Sequence, residues 1–556
     1  MSFILILLAL SASWLLLVFL RKYFAALSTL RSIRDCPGRD LLWLHPFHAT
    51  ATLLGSVYPF KGQPGYYYAK FSLYLEHGST FLSSAAFWTG TPIYWVADAD
   101  AVKAITSSGH LFVKDVEGYE VINIYGKNVV TTESSEWKRH KNVVKSAFNE
   151  ANTAFVWKEA TRIVNEWFSE LENLDNNQDD VDLSIEMVKI TLLILSSAGF
   201  GRRSSWTEEA QSDPPTGHRM AFRPALLGAV HNIYTKIIAP EWLYALSENF
   251  YLPGITPTLR DTKQSFTSLR EHMLEIIATE RTRVGGGSDV APGTALLRNM
   301  VEANMIQEDG YAQKRLTDEE LLSNTFTFLI AGHETTAFSL SFAIATLALY
   351  PDIQKKVYDE VVALWPAGAP STATLQSVKE CLPKLEYTTA VFHESLRHFP
   401  PVLRLGKIAQ ADTTLTTKRF STTEAGSITN IYQNTVAIER GSVVLIDVLG
   451  LHMNPLHWGN DADKFKPERF IDTPNYRWPR EAFMAFSGGP RSCIGHRFAL
   501  AEGLCVLASL VRAYHVLMPQ DLKNKSFSEQ KQVLQSWKPG ITTLPIGARV
   551  RLQRRP

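Results

Sequence analysis

Cysteine, glycine, proline and arginine crowd together at Phe486-Ser-Gly-Gly-Pro-Arg-Ser-Cys-Ile-Gly495, and the text that follows reads as a helix. The glycines and proline imply a tight loop that delivers Cys493 to a helix N-terminus. Free N–H groups and the helix dipole there favour a thiolate over a thiol. Gly489 lets the backbone approach a flat ligand closely, and Arg491 supplies a cation beside it. A thiolate held this way can ligate haem iron and push electron density onto bound oxygen. A buried structural cysteine is the plainer reading of a lone Cys, but the complete F-x-x-G-x-R-x-C-x-G spacing argues for the ligand.

Four other stretches carry chemistry. Ala331-Gly332-His333-Glu334-Thr335-Thr336 interrupts an apolar helical run. Glycine followed by hydroxyl side chains can loosen the i→i−4 ladder and open a groove. In a plain core helix the same hydroxyls would only bond back to their own carbonyls. A carboxylate at Glu334 is costly in apolar surroundings, which favours a working role. Glu394 and Arg397 stand three apart on a helix and share a face. Phe465-Lys-Pro-Glu-Arg-Phe470 follows His452-Met-Asn-Pro-Leu-His-Trp-Gly459. Trp137-Lys-Arg-His-Lys141 sets an aromatic ring four residues before a cation; residues 138–145 also read as a solvated basic face, and both readings can hold.

In order and spacing over residues 137–495 these stretches resemble the cytochrome P450 superfamily, in its membrane-anchored microsomal, fungal-like form. The resemblance implies a haem (iron protoporphyrin IX) with Cys493 as axial ligand and Phe486, Gly489, Arg491 and Gly495 around it. Trp137 and Lys141 would face a propionate, where the family pattern W-x-x-x-R has Arg. Lys407 matches another propionate partner. Lysine keeps the charge at both places but loses the planar fork. Thr335 and Glu334 would deliver protons during dioxygen chemistry. Glu394, Arg397 and Arg469 would form a structural network behind the haem, where stranding one charge costs about 3–5 kcal/mol.

The same resemblance implies monooxygenation of a lipophilic small molecule, with electrons from NADPH–cytochrome P450 reductase docking at 138–145, His496 and Arg497. Residues 115–132, 219–252, Phe328–Ala331 and Val402–Arg404 would line the pocket, and their apolar content suits a terpenoid or other secondary metabolite. Arg404 could meet a substrate carboxylate or hydroxyl, or serve structure alone. A xenobiotic-detoxifying monooxygenase, a haem-thiolate isomerase or dehydratase, and a non-catalytic haem sensor are the alternatives. Intact Glu334 and Thr335 argue against the isomerase.

The elements that must position these residues are mostly helical, with a smaller β part. Helices are expected from Ser135 to about Asn173, Asp182 to Ala198, across Arg219–Glu248, and on to about Val284. The clearest begins at the Thr317-Asp-Glu-Glu320 capping box and stops before Pro351, about 32 residues or roughly 48 Å. Another begins near Pro383 and ends before Phe399-Pro400-Pro401, and a third follows Cys493. Thr91–Val96, Val402–Ile408 and Gly441–Val448 read as strands, and 411–430 as a Ser/Thr-rich insertion without obvious chemistry. Residues 203–217 read as a loop, and 285–293 as the most flexible segment.

Lys+Arg 56 against Asp+Glu 55 leaves a formal charge of +1 in 556 residues, so no global field attracts nucleic acid. With 45% hydrophobic residues and only four cysteines, disordered and disulfide-scaffold classes are excluded. Phe3–Leu20 is apolar apart from two serines, and as a helix spans roughly 27 Å, close to a ~30 Å hydrocarbon core. Arg21, Lys22, Arg31, Arg34 and Arg39 follow it, which places the body on the cytosolic side. The expected organisation is an anchor at 1–22, a basic, proline-containing linker at 23–40, and one haem domain at 41–556, single-pass in the endoplasmic reticulum membrane.

Overall fold

Thr317 and Glu320 cap one another, as their spacing predicts. In the computed structural model Glu320 N donates to Thr317 Oγ1 (3.2 Å), and Thr317 N to Glu320 Oε2 (2.9 Å). Three acids in the first turn reinforce this start, and the helix runs Asp318–Leu349, 32 residues. Pro351, where the long helix was expected to stop, opens a further helix, Pro351–Leu364, that the sequence analysis did not name. Proline suits that first position because its missing N–H would have had no partner there.

The structure describes residues 2–33, 36–43, 68–174, 177–201, 203, 205–206, 214–285, 296–306, 315–370, 372, 374–424 and 426–556. Most of the stretch read as loops before residue 80, and residues 286–293 of the glycine-rich segment, lie outside them. Mainly helical with a smaller β part, the chain divides into two compact units.

One unit comprises Met1–Gly118, Leu396–Cys493 and Pro539–Thr542. Its six-stranded sheet has the order Gly38–Leu42, Phe81–Ala86, Pro92–Val96, Val443–Asp447, Arg404–Ala409, Phe112–Lys114. Every residue of Val443–Asp447 is buried, the continuous apolar text of a strand covered on both faces. The 411–430 insertion is a long antiparallel hairpin, Thr413–Thr422 with Ile428–Ile438. The N-terminal helix runs Ser2–Ser32, past the expected end of the anchor. Residues 23–32 carry Ala25, Ala26, Leu27 and Leu30 and no glycine or proline, so nothing stops the helix inside the supposed linker. From Phe19 onward it packs on the sheet: Phe19 lies 5.1 Å from the Phe87 ring, Ala26 is fully buried, and Thr29 Oγ1 donates to Gly90 O (2.6 Å). Leu5–Leu7, Leu10 and Trp14–Leu17 stay exposed.

The other unit comprises Tyr119–Ser395, Ile494–Lys538 and Thr543–Pro556. Asp318–Leu349 runs through it against Leu183–Phe200: Thr191 Oγ1 donates to His333 O (3.2 Å) and Ser341 Oγ to Leu183 O (3.0 Å). His496–Ala513 needs Gly503, because a Cβ there would stand 2.8 Å from the Phe392 ring. The expected helix from 135 to 173 is two, Ser134–Val144 and Glu150–Leu174. The break comes at Asn149, whose Oδ1 accepts from Asn152 N (2.9 Å) and so caps the second piece. Likewise 219–248 forms Phe222–His231, Ile233–Ile238 and Glu241–Asn249, the last pair separated by Pro240. The helix expected near Pro383 begins at Glu386 after a tight turn over Leu382–Lys384.

Candidate active site

The site residues divide between the units: Cys493, Phe486, Gly489, Arg491, Lys407, Arg397 and Arg469 in the first, Thr335, Glu334, Trp137, Lys141, Glu394 and Gly495 in the second. The cysteine loop is tightly wound. Cys493 N donates to Phe486 O (2.8 Å), Ser487 takes φ 59° and Gly489 φ 66°. A left-handed serine is strained, and such strain persists only when the surroundings hold it. The close approach expected at Gly489 is made to protein: a Cβ there would lie 2.4 Å from Thr106 O. Phe486 and Arg491 are half-buried. Gly495 caps His496–Ala513 without a side-chain cap, so Cys493 stands just ahead of first-turn N–H groups that no side chain takes up.

The four cysteines are all free thiols with unequal surroundings. Cys36 and Cys505 are buried, and burial pushes the Cys505 thiol up to about 12. Cys381 is half-buried and Cys493 is exposed.

The long helix is buried on nearly every side, yet Phe328, Gly332, Glu334 and Thr335 are only partly covered and Ala331 is exposed. Positions 328, 331, 332 and 335 share one helical face. Expectation and structure part over the backbone: the helix is continuous, and Thr335 Oγ1 donates to Ala331 O (2.7 Å). The hydroxyl occupies a carbonyl without breaking the ladder, so the opening is a bare face rather than a bulge. Partial exposure of Glu334 also lowers the burial cost expected of its carboxylate.

Glu394 and Arg397 are both fully buried on Glu386–His398. Arg397 Nη1 donates to His452 O (2.7 Å), and Nη2 contacts His398 Nε2 (2.8 Å) and Lys464 O (3.3 Å). The guanidinium lies 5.2 Å from the Trp458 ring centroid. His452 returns a bond from Nδ1 to Arg397 O (3.1 Å) and accepts from Met484 N at Nε2 (2.8 Å). Arg469 holds the same segment, donating to Trp458 O and pairing with Asp461 (2.6 Å). Its hydrogen bonds and charge keep the Asp461 carboxyl below its ordinary value.

Trp137 and Lys141 lie on Ser134–Val144, Lys141 Nζ 4.7 Å from the Trp137 ring centroid. Between them Arg139 and His140 turn inward, which the reading of 138–145 as a surface face missed. Arg139 grips Glu320 with both nitrogens (2.7 and 2.5 Å) and donates to Arg315 O (2.6 Å). His140 Nδ1 accepts from Asn324 Nδ2 (2.9 Å), and burial holds its pKa down. The N3 Glu of the capping box was the available signal, since one carboxylate can serve both a cap and a salt bridge. Lys138, Lys145 and Arg497 remain exposed.

Burial alone would raise the Glu320 carboxyl, but the Arg139 bonds, the Thr317 N–H and the charges of Arg139 and His140 override it and bring the pKa to about 2. A depressed carboxylate stabilises the fold above its unfolded value, and that contribution fades as pH falls toward the folded one. Glu320→Gln should therefore cost about 2 kcal/mol at pH 7, less than the full shift implies because both partners keep some solvent. Urea unfolding should show the gap from wild type narrowing by roughly 1 kcal/mol between pH 7 and pH 4. A gap that widens on acidification would refute this account.

Lys407 is buried in Arg404–Ala409, paired with Val444 on one side and Lys114 on the other. Arg404, offered as a substrate contact or a structural residue, is 3% exposed and stacks 4.4 Å from the Trp95 ring centroid; burial raises the nearby Asp447 carboxyl, and the Arg404 charge only partly offsets that.

Comparison with known proteins bears on this arrangement. The family model for cytochrome P450 matches residues 76–544. The chain belongs to the cytochrome P450 family. It is 32% identical over 99% of both chains to cytochrome P450 monooxygenase 124 of Postia placenta. It is 26% identical to cytochrome P450 monooxygenase ORF6 of Penicillium roqueforti, over 79% of this chain and 76% of that one. A phomenoic acid biosynthesis cluster cytochrome P450 monooxygenase of Leptosphaeria maculans is 25% identical over 79% of this chain and 76% of its own. This P450 is thus a fungal-like haem-thiolate monooxygenase. The chemistry of the cysteine loop suits the cofactor, a sulfur donor at Cys493 with a cation two residues before it at Arg491.

Proposed function

We propose that the enzyme oxygenates a lipophilic fungal secondary metabolite, a terpenoid or similar scaffold, using NADPH electrons passed on by a reductase. Bound haem would supply dioxygen activation; the Cys493 thiolate would hold it, Arg491, Trp137, Lys141 and Lys407 would offer cations and ring surface to its carboxylates, and Phe486, Gly489 and Gly495 would shape the loop. Residues 41–556 would act as one catalytic domain.

The partly open helix face at Ala331, Gly332 and Thr335, flanked by Phe328 packed on Phe148, carries this reading. Phe328 and Ala331 offer apolar surface to a substrate and exclude bulk water. Thr335 can give up its bond to Ala331 O to donate a proton, and half-exposed Glu334 can resupply it. Glu394, Arg397 and Arg469 hold the segments behind the cysteine loop without entering the reaction.

The name of the Leptosphaeria relative supports a biosynthetic setting. Lys138, Lys145 and Arg497 present positive charge suited to an acidic reductase. Membrane residence at the endoplasmic reticulum rests on the exposed apolar Leu5–Leu17 stretch. A second exposed set supports it, Trp242 (67% exposed), Phe250 (62%) and Tyr251 (66%), whose rings suit a lipid–water boundary.

Thr335→Ala should keep the haem-thiolate spectrum while raising NADPH consumed per product formed by about tenfold, in line with a lost proton donor. Coupled consumption and product assays with a reductase over a lipophilic panel test the whole reading. Unchanged coupling would remove Thr335 from proton delivery, and turnover without NADPH would replace oxygenation by rearrangement.

A further inference from the structure

A cavity of about 570 Å³ opens where the end of the long helix, the start of Pro351–Leu364 and the strands Tyr514–Leu517 and Arg549–Arg554 meet. Ala348, on its wall, lies thirteen residues beyond Thr335, about 20 Å along the helix. Ala348, Val516 and Met518 make its lining partly apolar. Lys355, Lys523, Arg551 and Arg555 contribute four cations against a single acid, Asp359.

That acid is already engaged, with Lys355 Nζ at 2.6 Å. Among the described residues neither Lys523 nor Arg551 has a carboxylate at ion-pair distance, and Arg551 Nε is shut off from solvent with no hydrogen-bond acceptor. Arg555 is fixed in place: Nε donates to Tyr514 O (3.0 Å), Nη2 to Gln354 Oε1 (3.2 Å), and the guanidinium lies 3.9 Å from the Tyr358 ring centroid. Gln354 ties the wall together, donating to Val516 O (2.7 Å) and accepting from Val516 N (3.0 Å). Burial lowers the Arg555 pKa, with Tyr358 and Asp359 opposing that shift and Arg512 adding to it.

We propose that this cavity binds an amphipathic anion, a carboxylate, sulfate or phosphate head carrying an apolar chain or ring, at a site separate from the reaction centre. Lys523 and Arg551 take the head, the latter gaining the acceptor its Nε lacks. The tail lies along Ala348, Val516 and Met518. The volume falls within the range of small-molecule pockets, and convergent charge over an apolar floor is how such pockets orient a ligand. Charge recognised beside a desolvated wall is worth more than on an open surface.

Calorimetric titration of the haem-loaded full chain in neutral-lipid nanodiscs tests this, with octyl phosphate, octanol and inorganic phosphate as probes and the haem absorption recorded alongside. Octyl phosphate should bind without moving the haem band. Octanol and inorganic phosphate should each bind at least tenfold more weakly. Lys523→Gln with Arg551→Gln should weaken octyl phosphate at least tenfold while leaving the thermal unfolding midpoint and the haem spectrum in place. No binding of octyl phosphate, equal binding of octanol, or equal affinity in the double variant would overturn the proposal. None of these outcomes depends on turnover, so the assignment stands or falls apart from the choice of substrate.

Discussion

Cys493→Ser should yield a folded protein with no haem-thiolate band in its carbon monoxide difference spectrum. Turnover should fall by at least about 10³-fold, the equivalent of about 4 kcal/mol of barrier. The expectation rests on the contrast among the four sulfurs. Cys505 sits near Thr161 Oγ1 (3.4 Å) and Trp157 O, with its thiol held neutral by burial. Cys36 is equally enclosed and Cys381 half-buried, whereas Cys493 is exposed on a loop whose φ angles hold it ahead of a helix. A hydroxyl in place of that sulfur cannot give iron the same electron density. Cys505→Ser is the matched control and should keep the band. A wild-type spectrum from Cys493→Ser would assign the ligand to another residue.

Arg397→Ala should be the most destabilising single change, about 3–5 kcal/mol, because it leaves buried acceptors without a donor. The carbonyl of His452 would be stranded, that of Lys464 left with only the long contact to His398 Nε2 (3.4 Å), and the Trp458 ring would lose its cation. The unfolding midpoint should drop on the order of 10 °C, with haem retained by only a minority of the purified protein. Arg397→Lys should recover part of this, since one ammonium restores charge but cannot span all the acceptors the planar fork reaches. Retention of both haem and melting midpoint in Arg397→Ala would show that the segment 452–464 is held by something else.

The tight cysteine loop and the capping box at Thr317 were legible because each depends on residues a few positions apart. Hydrogen bonds within a turn and the 3.6-residue period do not need the rest of the chain. The direction a polar side chain takes is another matter. Arg139 belongs to a basic run, yet pairs with Glu320, 181 positions away. Arg404 follows two prolines at a position read as pocket lining, yet lies over Trp95. Gly489 stands in a loop read as facing a ligand, yet its missing side chain makes room for Thr106 O. Partners brought from distant sequence decide these outcomes, and nothing near each residue names them.

By itself the order of residues determined the family and where the long helix begins and ends, since short-range bonding and spacing carry that information. The sequence pointed to the N-terminal run as the anchor; tertiary packing supplied the reason that two other apolar helices do not compete with it. Leu5–Ser32, Leu183–Phe200 and Asp318–Leu349 are all long and apolar enough to cross one. The second and third bury 72% and 67% of their most apolar windows against neighbouring helices, and the first buries none. Hydropathy is a property of a segment alone; the need for lipid is set by what else covers it.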